Sequence, residues 1–233
     1  SGRLASGLVS WWALDSSTDT YKDSHGSNDG TNSGSTLQDD IYGGYSPVIP
    51  RAIDNAPTVQ ADAIGSGSAL FDGSSDYISL GDSAYFTFAL APFSVSAWVN
   101  MTDATDFITL AKDASGAREW AIRAVSDKLH FYIIDNTAGG YIGRLYNTTV
   151  TSDEGNWIHT VYTYNGGTSS SGIKIYLNGV QVDDTNYDSG TFNTMQNTAT
   201  ALRIGSQENG SVQADGSISQ VGLWDAALDQ AQI

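Results

Sequence analysis

The sequence predicts an all-β protein built as a sandwich of two antiparallel sheets. Short stretches in which apolar and polar residues alternate recur along most of the chain, and turns rich in Gly, Asn, Asp and Ser separate them. This pattern is typical of a sandwich. Before Ala226 no stretch has the 3.6-residue periodicity of an amphipathic helix, and no repeat of solenoid or propeller length is present. The length of 233 residues fits one domain of this class.

The first predicted strand, residues 8–14, has the sequence LVSWWAL and leads into residues 15–32, where turn residues dominate. Residues 33–68 contain three of the four prolines and have no periodicity. We expect residues 36–64 to be an insertion loop. Such a loop is either a variable surface feature, which we favour, or a binding loop.

From Ala69 onward the strand pattern is regular. A hairpin is predicted around Ser115-Gly116, and Asn178-Gly179 is the dipeptide most typical of a tight hairpin turn. The predicted strands lie in the segments ALFDGSSDYISL, FSVSAWVN, DFITLAKD, EWAIRAV, KLHFYIID, WIHTVYTYN and GIKIYLNGVQVDD. Their spacing favours a sandwich over a parallel sheet with crossover helices.

Composition excludes several classes of function. The chain has 26 acidic and 10 basic residues, a net charge of −16, and such a surface repels nucleic acid and anionic membranes. No apolar stretch reaches the length of a membrane span, so no membrane insertion is expected. There is no Cys, so disulfides and thiol chemistry are excluded. Apart from Glu119, Glu154 and Glu208 the acidic residues are all Asp, which suits turns and calcium loops.

The order of the motifs along the chain resembles the laminin G-like and pentraxin groups of concanavalin A-like jelly rolls. The motifs are GLVSWWALD, KDSHGSNDGT, ALFDGSSDYISL, FSVSAWV, NWIHTVYTYNG, GIKIYLNGVQV, LRIGSQENG and DGSISQVGLWDAAL. The resemblance covers residues 8–233 apart from the insertion. It implies a jelly-roll sandwich with neighbouring termini, forming a single domain over residues 1–233. We expect this domain to have been cut from a larger protein.

The same resemblance implies calcium. Pentraxins bind it with an acid and amide triplet that corresponds here to residues 207–209, and bacterial members of the group hold a structural cation in an early Asp-rich loop. The predicted ligands, all with oxygen donors, are Gln207, Glu208, Asn209, Asp215, Asp23, Asn28 and Asp29. Ser219 stands where the closing strand would supply an acid, and Ala117 and Arg118 replace a second pentraxin ligand pair. The alternative is that these Asp and Asn residues only close turns.

Enzymatic chemistry is not expected. Glycoside hydrolases need two suitably spaced carboxylates, and the paired-Glu array of hydrolases with this fold is missing. No GxSxG motif is present. Polysaccharide lyases with this fold use Tyr and His together with Arg or Gln. Because His130 and Tyr132 share a strand face and His159 lies on another strand, a lyase stays open as a less favoured alternative.

Sugar binding needs planar aromatic side chains that stack on pyranose rings, with polar groups that bind the hydroxyls. We expect Trp11, Trp98, Trp157 and Trp224 to be in the core, because they lie within strands. The predicted ligand-binding residues, near turns or in the insertion, are Trp120, Tyr141, Arg144, Tyr42 and Tyr45.

The sequence therefore predicts a non-catalytic, lectin-like module that depends on calcium. Its expected partner is a glycan or a cell-surface polysaccharide, and its expected setting is an extracellular, cell-surface or virion protein such as an adhesin. The alternative is a structural or protein-interaction spacer domain.

Overall fold

The computed structural model of this protein describes residues 7–14, 20–38, 67–208 and 210–233, with the backbone alone at residues 20 and 36–38. Most of the predicted insertion, including Tyr42 and Tyr45, lies outside the described residues, as does Asn209. None of the helices in the described ranges has both the length and the apolar character needed to cross a bilayer.

The described residues form seventeen strands and three short 3-10 helices. The helices are Ala84–Phe86, Thr151–Asp153 and Ser170–Gly172. The strands are β1 (Leu8–Trp12), β2 (Thr20–Tyr21), β3 (Gly30–Ser33), β4 (Thr36–Gln38), β5 (Ser68–Asp72), β6 (Tyr77–Ser79), β7 (Phe93–Met101), β8 (Asp106–Ala114), β9 (Ala117–Val125), β10 (Lys128–Asp135), β11 (Gly140–Leu145), β12 (Ile158–Tyr164), β13 (Ile173–Leu177), β14 (Val180–Gln181), β15 (Thr185–Asn186), β16 (Arg203–Ile204) and β17 (Asp215–Trp224).

These strands form two antiparallel sheets, which confirms the predicted fold class. One sheet has eight strands in the order β14-β13-β12-β7-β17-β5-β4, with β1 also paired to β17. The other has nine, in the order β15-β11-β10-β9-β8-β16-β6-β3-β2. Because β1 pairs with the last residues of β17, the first and last strands of the described chain are neighbours. The predicted Asn178-Gly179 turn joins β13 to β14 with positive φ at both residues, as a type I′ turn requires.

The core lies between the sheets. Phe93 of β7 is at its centre, with its ring centroid 5.2 Å from that of Trp120 and 5.6 Å from that of Phe131. Alternate residues of β10 pack inward, as the pattern predicts: Leu129, Phe131 and Ile133 belong to this core. The prediction of four core tryptophans was wrong: Trp98 and Trp224 are buried outside this core, and Trp11 and Trp157 are half-buried. The tryptophans of the core are Trp12 and Trp120.

Trp120 corrects a prediction. It was expected to be exposed for stacking, but its side chain is 0% accessible and its Nε1 donates to the carbonyl of Phe86 at 3.0 Å. The cause is the alternation of β9: Trp120, Ile122 and Ala124 share one face of the strand, and all three belong to the core. An extra residue, Glu119, precedes them, so that Trp120 pairs with Lys112 but Arg118 pairs with Asp113.

A buried ion pair closes the core beside Trp120. Lys112 Nζ lies 2.6 Å from Glu119 Oε1, and both side chains are fully buried. Asp82 also contacts the same Nζ at 3.0 Å, and Thr198 donates its amide to Glu119 at 2.8 Å. Each buried charge is therefore compensated, as burial of a charge demands.

A second apolar cluster lies on the outer face of the nine-stranded sheet, which is the face turned away from the core. Its buried members are Ile108, Ala111, Ala121, Tyr132 and Ile134, and the half-buried Tyr141, Tyr187 and Val212 pack against them. Each buried member is next in sequence to a core residue, so the alternation of the strands directs it outward.

Candidate functional site

A cavity of about 380 Å³ opens where β1, the loop of residues 23–29 and the residue after β17 meet. Its volume is in the range of small-molecule sites, roughly 300–1,000 Å³. The lining residues, mixed in polarity, are Leu8, Val9, His25, Gly26, Ser27, Asn28, Tyr85 and Asp225.

The carboxylate of Asp23 holds the loop that lines this cavity. Its side chain is only 8% exposed, and its oxygens accept amide hydrogen bonds from the strand and from the loop. The donors are the backbone N–H groups of Trp11 (3.0 Å), His25 (3.1 Å), Gly26 (2.8 Å) and Asn28 (3.1 Å). The loop is thereby tied to β1, and this presents His25 and Asn28 in a defined position.

The charge of Asp23 is stabilised by these contacts. Burial raises the pKa of its carboxyl, but the amide hydrogen bonds outweigh burial, so the pKa lies below its ordinary value. Gly26 fits because a Cβ there would lie 2.7 Å from the carbonyl oxygen of Val9. Asn28 is fixed too: its side-chain amide donates to Ser10 Oγ at 2.8 Å, and its carbonyl accepts from Trp12 Nε1 at 2.8 Å.

The side chains of the predicted calcium loop make hydrogen bonds and an ion pair within the protein. The oxygens of Asp23 accept N–H groups, Asp29 Oδ1 accepts the amide of Asp23 at 3.0 Å, and Asp29 Oδ2 pairs with Lys22. A calcium ion needs about six to eight oxygens directed at it. Here Asp23, Asn28 and Asp29 act as loop-closing residues, and calcium itself stays a prediction.

The second predicted set is also engaged in hydrogen bonds. Gln207 Nε2 donates to the carboxylate of Asp113 at 2.9 Å, and the amide of Glu208 donates to the carbonyl of Asp113 at 3.1 Å. The Glu208 carboxylate accepts the amide of Ala201 at 3.1 Å. Asp215 lies at the start of β17, opposite Asp72 of β5. The Gln207 side-chain amide and the Glu208 backbone amide thus fasten this loop to Asp113 of β8, and binding of calcium by these residues stays a prediction.

One group of acidic side chains in the described ranges has its oxygens within 4.8 Å of one another: Asp103, Asp127 and Glu154. We call it the acidic triad. Glu154 Oε1 accepts the amide of Ala104 at 2.9 Å, and Asp103 Oδ1 accepts the amide of Thr105 at 2.7 Å. None of the three was among the predicted ligands, because they come from separate turns that only the fold brings together.

Tyr85 is the exposed aromatic residue of the cavity. It lies in the Ala84–Phe86 helix, whose N-terminus is capped by the Ser83 hydroxyl, and its side chain is 68% exposed. The next residue, Phe86, is fully buried and accepts the Trp120 Nε1 hydrogen bond on its carbonyl. The hydrogen bond from the buried Trp120 thus anchors the turn that carries Tyr85.

Asp225 and His25 supply charge and hydrogen-bonding capacity. Asp225 follows β17, its side chain is exposed, and its amide donates to the carbonyl of Gly7 at 2.8 Å. His25 is exposed on the loop. A carboxylate, an imidazole and the Asn28 amide beside an aromatic ring are the groups that bind sugar hydroxyls and a sugar ring face.

Sequence reasoning missed Tyr85, His25 and Asp225 as binding residues. A signal for Tyr85 exists in the sequence, because the tight turn SAYF joins two apolar segments and only one of its two aromatic residues can face the core. Nothing local indicates that residues 25 and 225 share a cavity, since their proximity depends on the pairing of β1 with β17.

Two predicted ligand residues lie away from the cavity. Tyr141 is half-buried on the outer face, with its ring centroid 5.0 Å from that of Tyr187. Arg144 forms an ion pair with Asp183 at 2.9 Å, and Asp183 also accepts the amide of Ile175 at 3.0 Å. Because Ile175 belongs to the other sheet, Arg144 and Asp183 join the edges of the sandwich.

Tyr132 and His130, two of the residues that suggested a lyase as an alternative, are both held inside the protein. Tyr132 is buried, and its hydroxyl donates to Asp113 at 3.1 Å. His130 is buried beside it, and burial, together with the charges of Arg123 and Lys128, lowers its pKa to about 4. Neither side chain is presented to solvent as a catalytic acid or base would be.

A family model described as the concanavalin A-like lectin/glucanases superfamily, of laminin G type, matches residues 72–233. The chain belongs to this superfamily. The predicted resemblance is thereby confirmed. A search of curated protein sequences finds no match to this chain.

Solved structures share the fold at low sequence identity. The binding domain of Paraclostridial mosquitocidal protein 1 has a TM-score of 0.66 and 14% identity, over 99% of this chain and 51% of that one. Domain 4 of AbnA, a GH43 extracellular arabinanase from Geobacillus stearothermophilus solved with arabinotriose, has a TM-score of 0.62 and 17% identity, over 97% and 95%. The botulinum neurotoxin serotype D ligand-binding domain with N-acetylneuraminic acid has a TM-score of 0.62 and 11% identity, over 98% and 50%. This chain therefore spans about half the length of the two toxin domains, and the similarity shows the fold alone.

Proposed function

We propose that this protein is a non-catalytic carbohydrate-binding module that holds a glycan in the cavity lined by Tyr85. The observation that carries the proposal is the combination of an exposed aromatic ring with a carboxylate, an imidazole and an amide in one cavity of about 380 Å³. Sugar rings stack on such aromatic faces, and their hydroxyls need acceptors and donors at fixed positions. The loop held by Asp23 supplies that fixed geometry.

Two further observations support a binding role without catalysis. Among the residues that line the cavity, Asp225 is the carboxylate, whereas glycoside hydrolysis needs a pair. Tyr132 and His130, the lyase candidates, are buried on the outer face. The structures solved with arabinotriose and N-acetylneuraminic acid add support, because both are sugar complexes of proteins that contain this fold. The proposal includes an extracellular, cell-surface or virion setting and a polysaccharide partner.

Calcium dependence is a separate part of the proposal. The acidic triad is the group of described residues best arranged to hold the cation, since its oxygens converge, whereas the carboxylates of Asp23 and Glu208 in the predicted loops accept N–H groups. A cation there would stabilise the turns that carry the triad, and we do not place it in the sugar cavity.

The test is a glycan array followed by calorimetric titration with the best oligosaccharide. Loss of a stacked ring costs about 1.5 kcal/mol, so Tyr85→Ala is expected to weaken binding about tenfold or more. Tyr85→Phe keeps the ring and is expected to bind within about threefold of wild type. Leu90→Ala, at an exposed apolar residue outside the cavity lining, is the matched control.

Two results would overturn the proposal. Unchanged affinity in Tyr85→Ala would exclude the cavity as the binding site. A silent array in both calcium and chelator would favour the spacer alternative, in which the domain only separates or links other parts of a larger protein.

A further inference from the structure

Arg123 lies in the middle of the outer face, and no carboxylate among the described residues pairs with its charge. It is half-buried on β9, directly opposite His130 of β10 and Ile108 of β8. Its guanidinium carbon is 5.1 Å from the ring centroid of Tyr132, a cation–π contact. Its guanidinium makes no hydrogen bond and no ion pair with any residue that the structure describes, and its Nε is buried without a partner. In a chain with a net charge of −16, an arginine left without a carboxylate is unusual.

The neighbouring arginine shows the contrast. Arg118, on the same face, forms a bidentate ion pair with Asp113 at 2.8 and 3.1 Å. Asp113 also accepts from Tyr132 and Gln207, so its oxygens are occupied. The positive charge of Arg118 is compensated within the fold, whereas that of Arg123 is not.

Aromatic rings adjoin the guanidinium. Tyr187 lies edge-on to His130, with ring centroids 4.9 Å apart, and its centroid is 6.2 Å from that of Tyr132 and 5.0 Å from that of Tyr141. Tyr141 and Tyr187 are half-buried, so part of each ring reaches solvent. His130 Nδ1 is buried and has no hydrogen-bond partner. The patch therefore combines an uncompensated cation with partly exposed tyrosines.

We infer that this patch, formed by Arg123, His130, Tyr141 and Tyr187, is a second ligand surface that binds a carboxylate-bearing sugar, such as a uronic acid residue. A guanidinium binds a carboxylate with two parallel hydrogen bonds, and the adjacent tyrosines offer rings for the sugar to contact. The surface lies on β9, β10 and β11 and the segment after β15, none of which contributes to the cavity lining. The module would thus bind glycans at two separate places, one in the cavity and one on this surface.

The experiment is calorimetric titration of polygalacturonate into wild-type protein and variants, with thermal unfolding to verify the fold of each variant. Arg123→Ala removes the charged donor and is expected to weaken binding about tenfold or more. Arg123→Lys keeps the charge but lacks the planar fork, so we expect an intermediate loss. Lys174→Ala removes one exposed positive charge from the other sheet and is expected to bind as wild type does.

The inference fails if wild-type protein does not bind polygalacturonate, if Arg123→Ala binds it as tightly as wild type, or if Lys174→Ala loses as much affinity as Arg123→Ala. Tyr85→Ala separates this inference from the proposed function. That variant is expected to keep polygalacturonate binding, and its loss would place the polymer in the cavity instead.

Discussion

The Asp23 carboxylate is expected to stabilise the folded protein by about 3 kcal/mol, and Asp23→Ala tests this. The side chain accepts four backbone amides, and a hydrogen bond to a charged group contributes about 1.5–3 kcal/mol when buried. The expected total is smaller than four such contributions because His25 and Gly26 are exposed, so water can solvate their amides in the variant. The half-buried amides of Trp11 and Asn28 account for most of the loss.

Thermal unfolding followed by circular dichroism measures the effect. In a domain of this size each kcal/mol lowers the melting temperature by about 2–4 °C, so Asp23→Ala is expected to melt about 6–12 °C below wild type. Asp29→Ala is the matched control on the same loop. It removes an exposed carboxylate that accepts one amide and pairs with the exposed Lys22, and such surface pairs contribute about 0–1 kcal/mol.

The pH dependence has a definite sign. Because the pKa of Asp23 is lower in the folded protein than its ordinary value of 3.8, its contribution is present above pH 3.8 and is lost as the pH falls through the folded pKa. The difference in melting temperature between wild type and Asp23→Ala should therefore narrow in acid. A variant that melts within about 2 °C of wild type at neutral pH would refute the hydrogen-bonding account. A difference that appears only in calcium would show that the loop binds the cation after all.

Three further predictions concern charged groups. Excess calcium is expected to raise the melting temperature of wild type by several degrees, but not that of Asp127→Asn, because this variant weakens the acidic triad. If the melting temperature of wild type does not change, structural calcium is excluded. If both proteins shift equally, the calcium ion binds outside the triad. Lys112→Met leaves the Glu119 carboxylate buried without its cation, so urea unfolding should show a free energy of unfolding lower by about 3–5 kcal/mol. Adding Glu119→Leu should recover much of that loss. If the double variant is no more stable than Lys112→Met, the two side chains do not stabilise each other as an ion pair. Burial raises the pKa of the Asp135 carboxyl, but five hydrogen bonds to its oxygens outweigh burial and lower the pKa to about 2. Asp135→Asn should therefore destabilise the protein at neutral pH, and this destabilisation should decrease as the pH falls from about 4 to 2. If the difference in stability between wild type and Asp135→Asn is constant across that pH range, the lowered pKa of Asp135 is wrong.

The sequence alone determined the elements whose cause is local. Alternation in KLHFYIID predicts which side chains of β10 face the core, because successive residues of a strand point to opposite faces. Asn178-Gly179 predicts its hairpin because those residues readily adopt positive φ. The order of motifs led to the superfamily that the family model confirms, whereas the argument from charge against a nucleic-acid partner stays a prediction.

Only the tertiary structure decided which residues meet. The hydrogen bond from the buried Trp120 to the carbonyl of Phe86 joins β9 to the turn that exposes Tyr85. The roles of Asp23 and Gln207 depended on partners about 3 Å away in other segments: Asp23 accepts the amide of Trp11 in β1, and Gln207 donates to Asp113 in β8. The same is true of the cavity, which exists because β1 pairs with the end of β17 and brings residues some 200 positions apart in the sequence to one place. Local patterns carry the direction of each side chain, but contact between distant segments is a property of the folded chain as a whole.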